Sequence, residues 1–198
     1  MSWHFTQTEN AETWLMCFNQ VRDTPFAIVL DGKAGCIKAA RARWPKIVIQ
    51  RCQFHVIHYV NALLTKRPET KAARDFKRLV AGIIGVKTID EWRAWVGDLK
   101  QWYILFGDII KERTYHDSLT PTGRRKWSYT HARLHAAFFH VSHSFHCLFQ
   151  YLKYPQIPNT SNRIEGSINA SLQRFLDDHR GLNLAGQRQF ISAFLRSK

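Results

Sequence analysis

Apolar residues recur along this chain first at helical spacing, then in short runs, then at helical spacing again. Between Glu9 and Val21 they fall at Ala11, Trp14, Leu15, Phe18 and Val21, which predicts an amphipathic helix. Before it, Trp3 and Phe5 alternate with polar residues as in a half-buried strand. Pro25 resets the chain into the apolar run Phe26 to Leu30, a second strand. Ala34 to about Arg43 then reads as a helix, and Pro45 precedes a third strand at Lys46 to Ile49. The alternation predicts an α/β layer with right-handed crossovers, and parallel pairing of Phe26 to Leu30 with Lys46 to Ile49.

From Gln53 to Tyr154 the pattern is helical throughout. Val56, Tyr59, Val60, Leu63 and Leu64 make one stripe, and Leu134, Phe138, Val141, Phe145, Leu148, Phe149 and Leu152 make another. No strand is expected here. Thr114 to Ser128, with Pro121, Gly123 and the run Arg124-Arg125-Lys126, reads as an exposed loop that acts as a hinge or a contact. A second break, Tyr154-Pro155-Gln156-Ile157-Pro158-Asn159, precedes a last helix at about Arg163 to Leu176. There is no internal repeat.

Composition sharpens this picture in one direction. The hydrophobic fraction of 45% is ordinary for a globular protein, but 29 Lys and Arg against 15 Asp and Glu give a net charge of +14. Such a field attracts polyanions, nucleic acid first among them. No apolar run approaches the roughly 20 residues that span a bilayer, so no membrane role is expected. The first residues lack both the basic and the apolar regions of a secretory signal, which leads us to expect a cytoplasmic location. Cys17, Cys36, Cys52 and Cys147 show no paired framework and read as free thiols.

Two carboxylates stand out by position. Asp31 follows the strand Phe26 to Leu30 and precedes Gly32, while Glu165 sits in the first turn of the last expected helix, in Asn159-Thr160-Ser161-Asn162-Arg163-Ile164-Glu165-Gly166. Either can hold a hard cation such as Mg2+. Each also has a plain structural reading. Asp31-Gly32 is a common turn, and Asn162 with Glu165 has the spacing of an N-terminal capping box.

Other candidates carry similar alternatives. Cys52 and His55 have a spacing that suits zinc, with His143, His146 or Cys147 to complete the set; the alternative is a buried thiol and a hydrogen-bonded imidazole. His131 and His135 are four apart on a helix and could chelate. Trp92, Trp95, Trp102 and Trp127 could stack on bases or fill a core. Trp127 beside Arg124, Arg125 and Lys126 joins a stacking face to positive charge. Arg163, Arg174, Arg180 and Arg188 could line a DNA path or simply be solvated.

Taken in order, Asp31-Gly32-Lys33-Ala34-Gly35, Gln50-Arg51-Cys52-Gln53-Phe54-His55 and, after a long helical stretch, Thr160-Ser161-Asn162-Arg163-Ile164-Glu165-Gly166 resemble the catalytic part of bacterial insertion-sequence transposases of the Mutator-like group. The resemblance implies a partial ribonuclease H-like α/β core interrupted by a large all-helical insertion. Its divisions would be core at residues 1–55, insertion at 56–154 and the returning helical part of the core at 155–198. It also implies a site of three acids that bind Mg2+ or Mn2+, with Asp31 as the second acid and Glu165 as the third. Cys52, His55 and Asn162 would lie just behind them. The first acid has no match in this sequence, as in a chain truncated at its N-terminus, so strand cleavage is expected of an intact parent rather than of this chain alone. The implied partners are DNA, contacted by Arg124, Arg125, Lys126, Trp127, Arg163 and Arg174, and further copies of the chain. The implied setting is the bacterial nucleoid. Two other functions fit the residues: a noncatalytic basic nucleic-acid-binding protein, and an interaction module organised by zinc at Cys52 and His55.

Overall fold

The computed structural model describes residues 8–161, 166 and 170–196. The chain divides into two compact units, one of residues 1–50 with 160–198 and one of residues 51–159. The expected strand at Trp3 and Phe5 lies outside the described residues.

In the first unit, Asn10 starts helix α1 (Ala11–Asn19). Its Oδ1 accepts the Thr13 N–H at 3.0 Å, and Thr13 Oγ1 accepts the Asn10 N–H at 3.1 Å, so two otherwise orphaned donors are satisfied reciprocally. Strand β1 (Ala27–Leu30), helix α2 (Ala34–Arg43) and strand β2 (Val48–Arg51) follow. The two strands form a two-stranded sheet. β2 begins two residues later than its apolar run predicts because the Ile47 N–H closes a turn onto the Trp44 carbonyl at 3.0 Å, which holds Lys46 and Ile47 out of the strand.

Helices α1 and α2 pack closely where Gly35 lies. A Cβ at Gly35 would stand 3.0 Å from the Ala11 nitrogen and 3.2 Å from the Asn10 carbonyl carbon. Phe18, Cys36, Ala39, Ala40, Trp44 and Ile49 are buried around this contact, with the Phe18 ring 5.2 Å from that of Trp44. Near the end of the chain, helices α8 (Ala170–Asp177) and α9 (Leu184–Arg196) face each other through Phe175, Phe190 and Phe194. Of the last expected helix, Ala170 to Leu176 falls within α8.

The second unit is a helical bundle with one hairpin. It contains α3 (Gln53–Leu64), α4 (Lys71–Ala81), a 3-10 turn (Gly82–Gly85), α5 (Ile89–Lys111), strands β3 (Arg113–Leu119) and β4 (Arg125–Tyr129), α6 (Ala132–Leu148) and the short α7 (Gln150–Lys153). Its core draws Val56, Val60 and Leu64 from α3, Phe76 and Val80 from α4, Trp95, Trp102 and Ile110 from α5, and Leu134, Val141 and Leu148 from α6. The indole N–H groups of Trp95 and Trp102 donate to the Leu79 and Ala72 carbonyls at 2.9 and 3.0 Å. These two tryptophans are core, as their helical spacing allows.

The hairpin corrects the expectation of a loop at Thr114 to Ser128. The strands pair antiparallel, with Arg113 opposite Tyr129, Thr114 opposite Ser128 and Tyr115 opposite Trp127, and the register shifts before Leu119 meets Arg125. Pro121 and Gly123 serve the turn: the Gly123 N–H donates to the Thr120 carbonyl at 2.9 Å, and Gly123 has φ +75°. The strands escape the usual reading because β3 is exposed along its whole length and β4 nearly so, which leaves no apolar alternation to see. The visible signal is weaker: aromatic or β-branched residues at Thr114, Tyr115, Trp127 and Tyr129 on either side of a Pro-x-Gly turn.

Candidate functional site

Asp31 stands where the sequence places it, directly after the buried end of β1 at Leu30. Gly32, with φ +92°, turns the chain, and Asp31 Oδ1 accepts the Lys33 N–H at 3.1 Å. The turn reading is therefore correct, and it leaves room for the other. Among the described residues Oδ2 has no hydrogen-bond partner, so one oxygen orients the carboxylate while the other remains open. That arrangement suits a ligand to a hard cation. Lys33 turns its ammonium to the Glu9 carboxylate, which raises the Lys33 pKa. In α2, burial pushes the Cys36 thiol up to about 12, with the negative charges of Asp31 and Glu9 adding to the effect. Cys36 is thus a protonated thiol at neutral pH.

Glu165, Asn162 and Arg163 lie outside the described residues. Arg174, in α8, is exposed, as is Arg188 in α9, while Arg180 reaches Asp177 at 3.5 Å.

The junction of β2 and α3 carries buried polar residues. Gln50, Cys52 and Gln53 are fully buried and Arg51 nearly so. The Gln53 side-chain amide donates to the Leu148 carbonyl and to the Tyr151 hydroxyl, both at 3.1 Å, and its Oε1 accepts from Asn159 Nδ2 at 3.1 Å. Tyr151 in turn donates to the Val86 carbonyl at 2.7 Å. Arg51 Nη2 lies 3.4 Å from His140 Nε2, and the His140 ring stacks on Tyr59 with centroids 4.1 Å apart. Since a guanidinium only donates, Nε2 is the acceptor and the imidazole is neutral. Burial first, and the Arg51 charge second, lower the His140 pKa to about 4.

The apolar pattern of the sequence does not mark Arg51 and Gln53 as anchors. Gln53 does continue the Val56 and Val60 stripe by one helical step.

The zinc set is corrected. Among the described residues no three His, Cys, Asp or Glu side chains come together as a metal site. Cys52 and Cys147 are buried, whereas His143 and His146 are exposed on α6, so these two histidines face away from the buried thiols. The i, i+4 pair is also divided: His131 Nε2 lies 3.4 Å from the Glu112 carboxylate, while His135 stacks on Tyr129 at 3.6 Å.

On the hairpin, Arg124, Lys126 and Trp127 are exposed, as predicted for a contact segment. Arg125 instead bridges the strands, with Nη2 2.9 Å from Asp117 and Nε donating to the His116 carbonyl at 3.1 Å. Of Trp92, Trp95, Trp102 and Trp127, only Trp127 is strongly exposed, at 42%. The Arg113 guanidinium lies over its ring, 4.0 Å from the centroid.

Among the described residues, no helix is long and apolar enough to cross a membrane. No curated protein and no solved structure matches the chain. Residues 1–109 match the family model for transposases of the Mutator family. With more than half of its 198 residues inside that match, the chain belongs to the Mutator family of transposases.

Proposed function

We propose that this chain carries part of the DNA-cutting and DNA-joining machinery of a bacterial insertion sequence, built on a ribonuclease H-like core. Asp31 and Glu165 are two of its metal-binding acids. The observation that supports this most directly is Asp31, which combines a strand-end position, a carboxylate fixed through one oxygen and a second oxygen left open.

In strand cleavage the oxygen of a water or hydroxyl nucleophile forms a bond to phosphorus and gives up its proton as the bond to the 3′ oxygen breaks, and the leaving oxygen takes up a proton. Mg2+ or Mn2+, when bound, would supply positive charge to both oxygens. The protein's part is to hold its carboxylates still, and the Lys33 backbone N–H does this for one oxygen of Asp31.

Mn2+ binding, followed by the loss of the free-ion EPR signal, tests the assignment. Asp31→Asn is a fair probe because an amide oxygen can still accept the Lys33 N–H and preserve the turn. We expect Asp31→Asn and Glu165→Gln each to weaken Mn2+ binding by about tenfold or more, the loss of one charged ligand from a hard-cation site. Unchanged Mn2+ affinity in both variants would remove these residues from the metal site.

A further inference from the structure

The two faces of the β3–β4 hairpin differ in chemistry. Cross-strand partners share a face, as do alternate residues along a strand. Arg113, Tyr115, Trp127 and Tyr129 therefore line one face. Thr114, His116, Ser128 and Thr130 belong to the other, and they bond to one another: His116 Nε2 to Ser128 Oγ at 2.9 Å and Thr114 to Thr130 through their hydroxyls at 2.8 Å.

The first face leaves much aromatic surface in water. Tyr115 is 54% exposed opposite Trp127. The Trp127 ring meets Tyr129 edge-on at 5.1 Å, and Tyr129 stacks on His135, which lies 4.4 Å from Phe139. The aromatic run thus continues from the hairpin along α6, which gives the rings a rigid footing. The charge of the hairpin is also unbalanced in sign. Arg113, Arg124, Arg125 and Lys126 stand against Asp117 alone, and that carboxylate is taken by Arg125.

From this asymmetry we propose that the hairpin binds single-stranded DNA, with unpaired bases stacking on Trp127 and Tyr115 and the phosphates meeting Arg113 on the same face and Arg124 at the turn. Phosphate contact needs only the charge and would serve a duplex equally well. Exposed ring faces are a different matter, because a base in a duplex has both faces covered by its neighbours, whereas an unpaired base can lie flat on a side chain. The cation over Trp127 places a phosphate partner within reach of the stacking ring. This deepens the reading of the chain as a DNA-handling transposase and rests on it.

The test compares a labelled oligothymidylate with a duplex of equal length, by fluorescence anisotropy at one salt concentration, using the full chain. Trp127→Ala and Tyr115→Ala are each expected to weaken single-strand binding about tenfold, the loss of one stacked base, and to leave duplex binding unchanged. Trp127→Tyr should restore most of the loss, which a general loss of folding would not allow. Equal weakening on both DNA forms, or no weakening on either, would overturn the proposal while leaving the transposase reading intact. Failure of the unaltered chain to bind either form would overturn both.

Discussion

His140 is held neutral by its neighbours, and that has a cost in acid. Its imidazole accepts from Arg51 and stacks on Tyr59, and burial together with the guanidinium lowers its pKa from the ordinary 6.5 to about 4. Between those values the unfolded chain binds more protons than the folded one, so stability rises with pH across that window. The contribution is complete above pH 6.5 and is lost as pH falls toward 4. Thermal unfolding at pH 7 and pH 5 should therefore show a drop in Tm on acidification, and His140→Gln, which keeps an acceptor for Arg51 but does not titrate, should make that drop smaller. An undiminished drop in the variant would place the acid sensitivity elsewhere. At this scale the sequence was legible where a residue's neighbours in sequence are also its partners. Asp31 is such a case: the Asp-Gly pair announces the turn that positions it. Arg51 and Gln53 are not, since their partners lie about ninety or more residues away at His140, Leu148, Tyr151 and Asn159.

Among elements, the two glycines of Asp31-Gly32-Lys33-Ala34-Gly35 have separate reasons. Gly32 takes a backbone conformation that L side chains resist, and Gly35 lets α2 approach the first turn of α1. Gly35→Ala should destabilise the protein by about 1–3 kcal/mol, because the added methyl meets backbone atoms that cannot rotate away. Gly97→Ala, inside α5 with no atom near the new methyl, should stabilise it by about 0.5–1 kcal/mol. Urea unfolding of the pair checks both signs; a neutral Gly35→Ala would mean that the helices separate easily. The amphipathic helices α1 and α3 and the strand β1 were visible in the spacing of apolar residues. The hairpin was not, because a strand exposed on both faces leaves no pattern for burial to imprint.

For the whole molecule, the net charge of +14 predicts a steep response to salt. Binding of DNA by a chain that neutralises several phosphates releases the counterions condensed on them, so the logarithm of affinity should fall linearly as the logarithm of salt concentration rises. Joint replacement of Arg124, Arg125 and Lys126 by alanine should reduce that slope and weaken binding across all sequences, as measured by titration at several salt concentrations. A flat salt response would exclude the phosphate backbone as the main contact. The mixed α/β composition was readable from the order of the motifs, but how Asp31 is oriented required the folded chain. The Gln53 backbone N–H donates to the Asn159 carbonyl at 3.0 Å while the Asn159 side chain returns a bond to Gln53. The helical unit of residues 51–159 is thereby stapled at its own entrance and exit. A unit whose two ends already meet can be transplanted into a surface loop of another protein, or joined end to end into a ring, without stretching either connection.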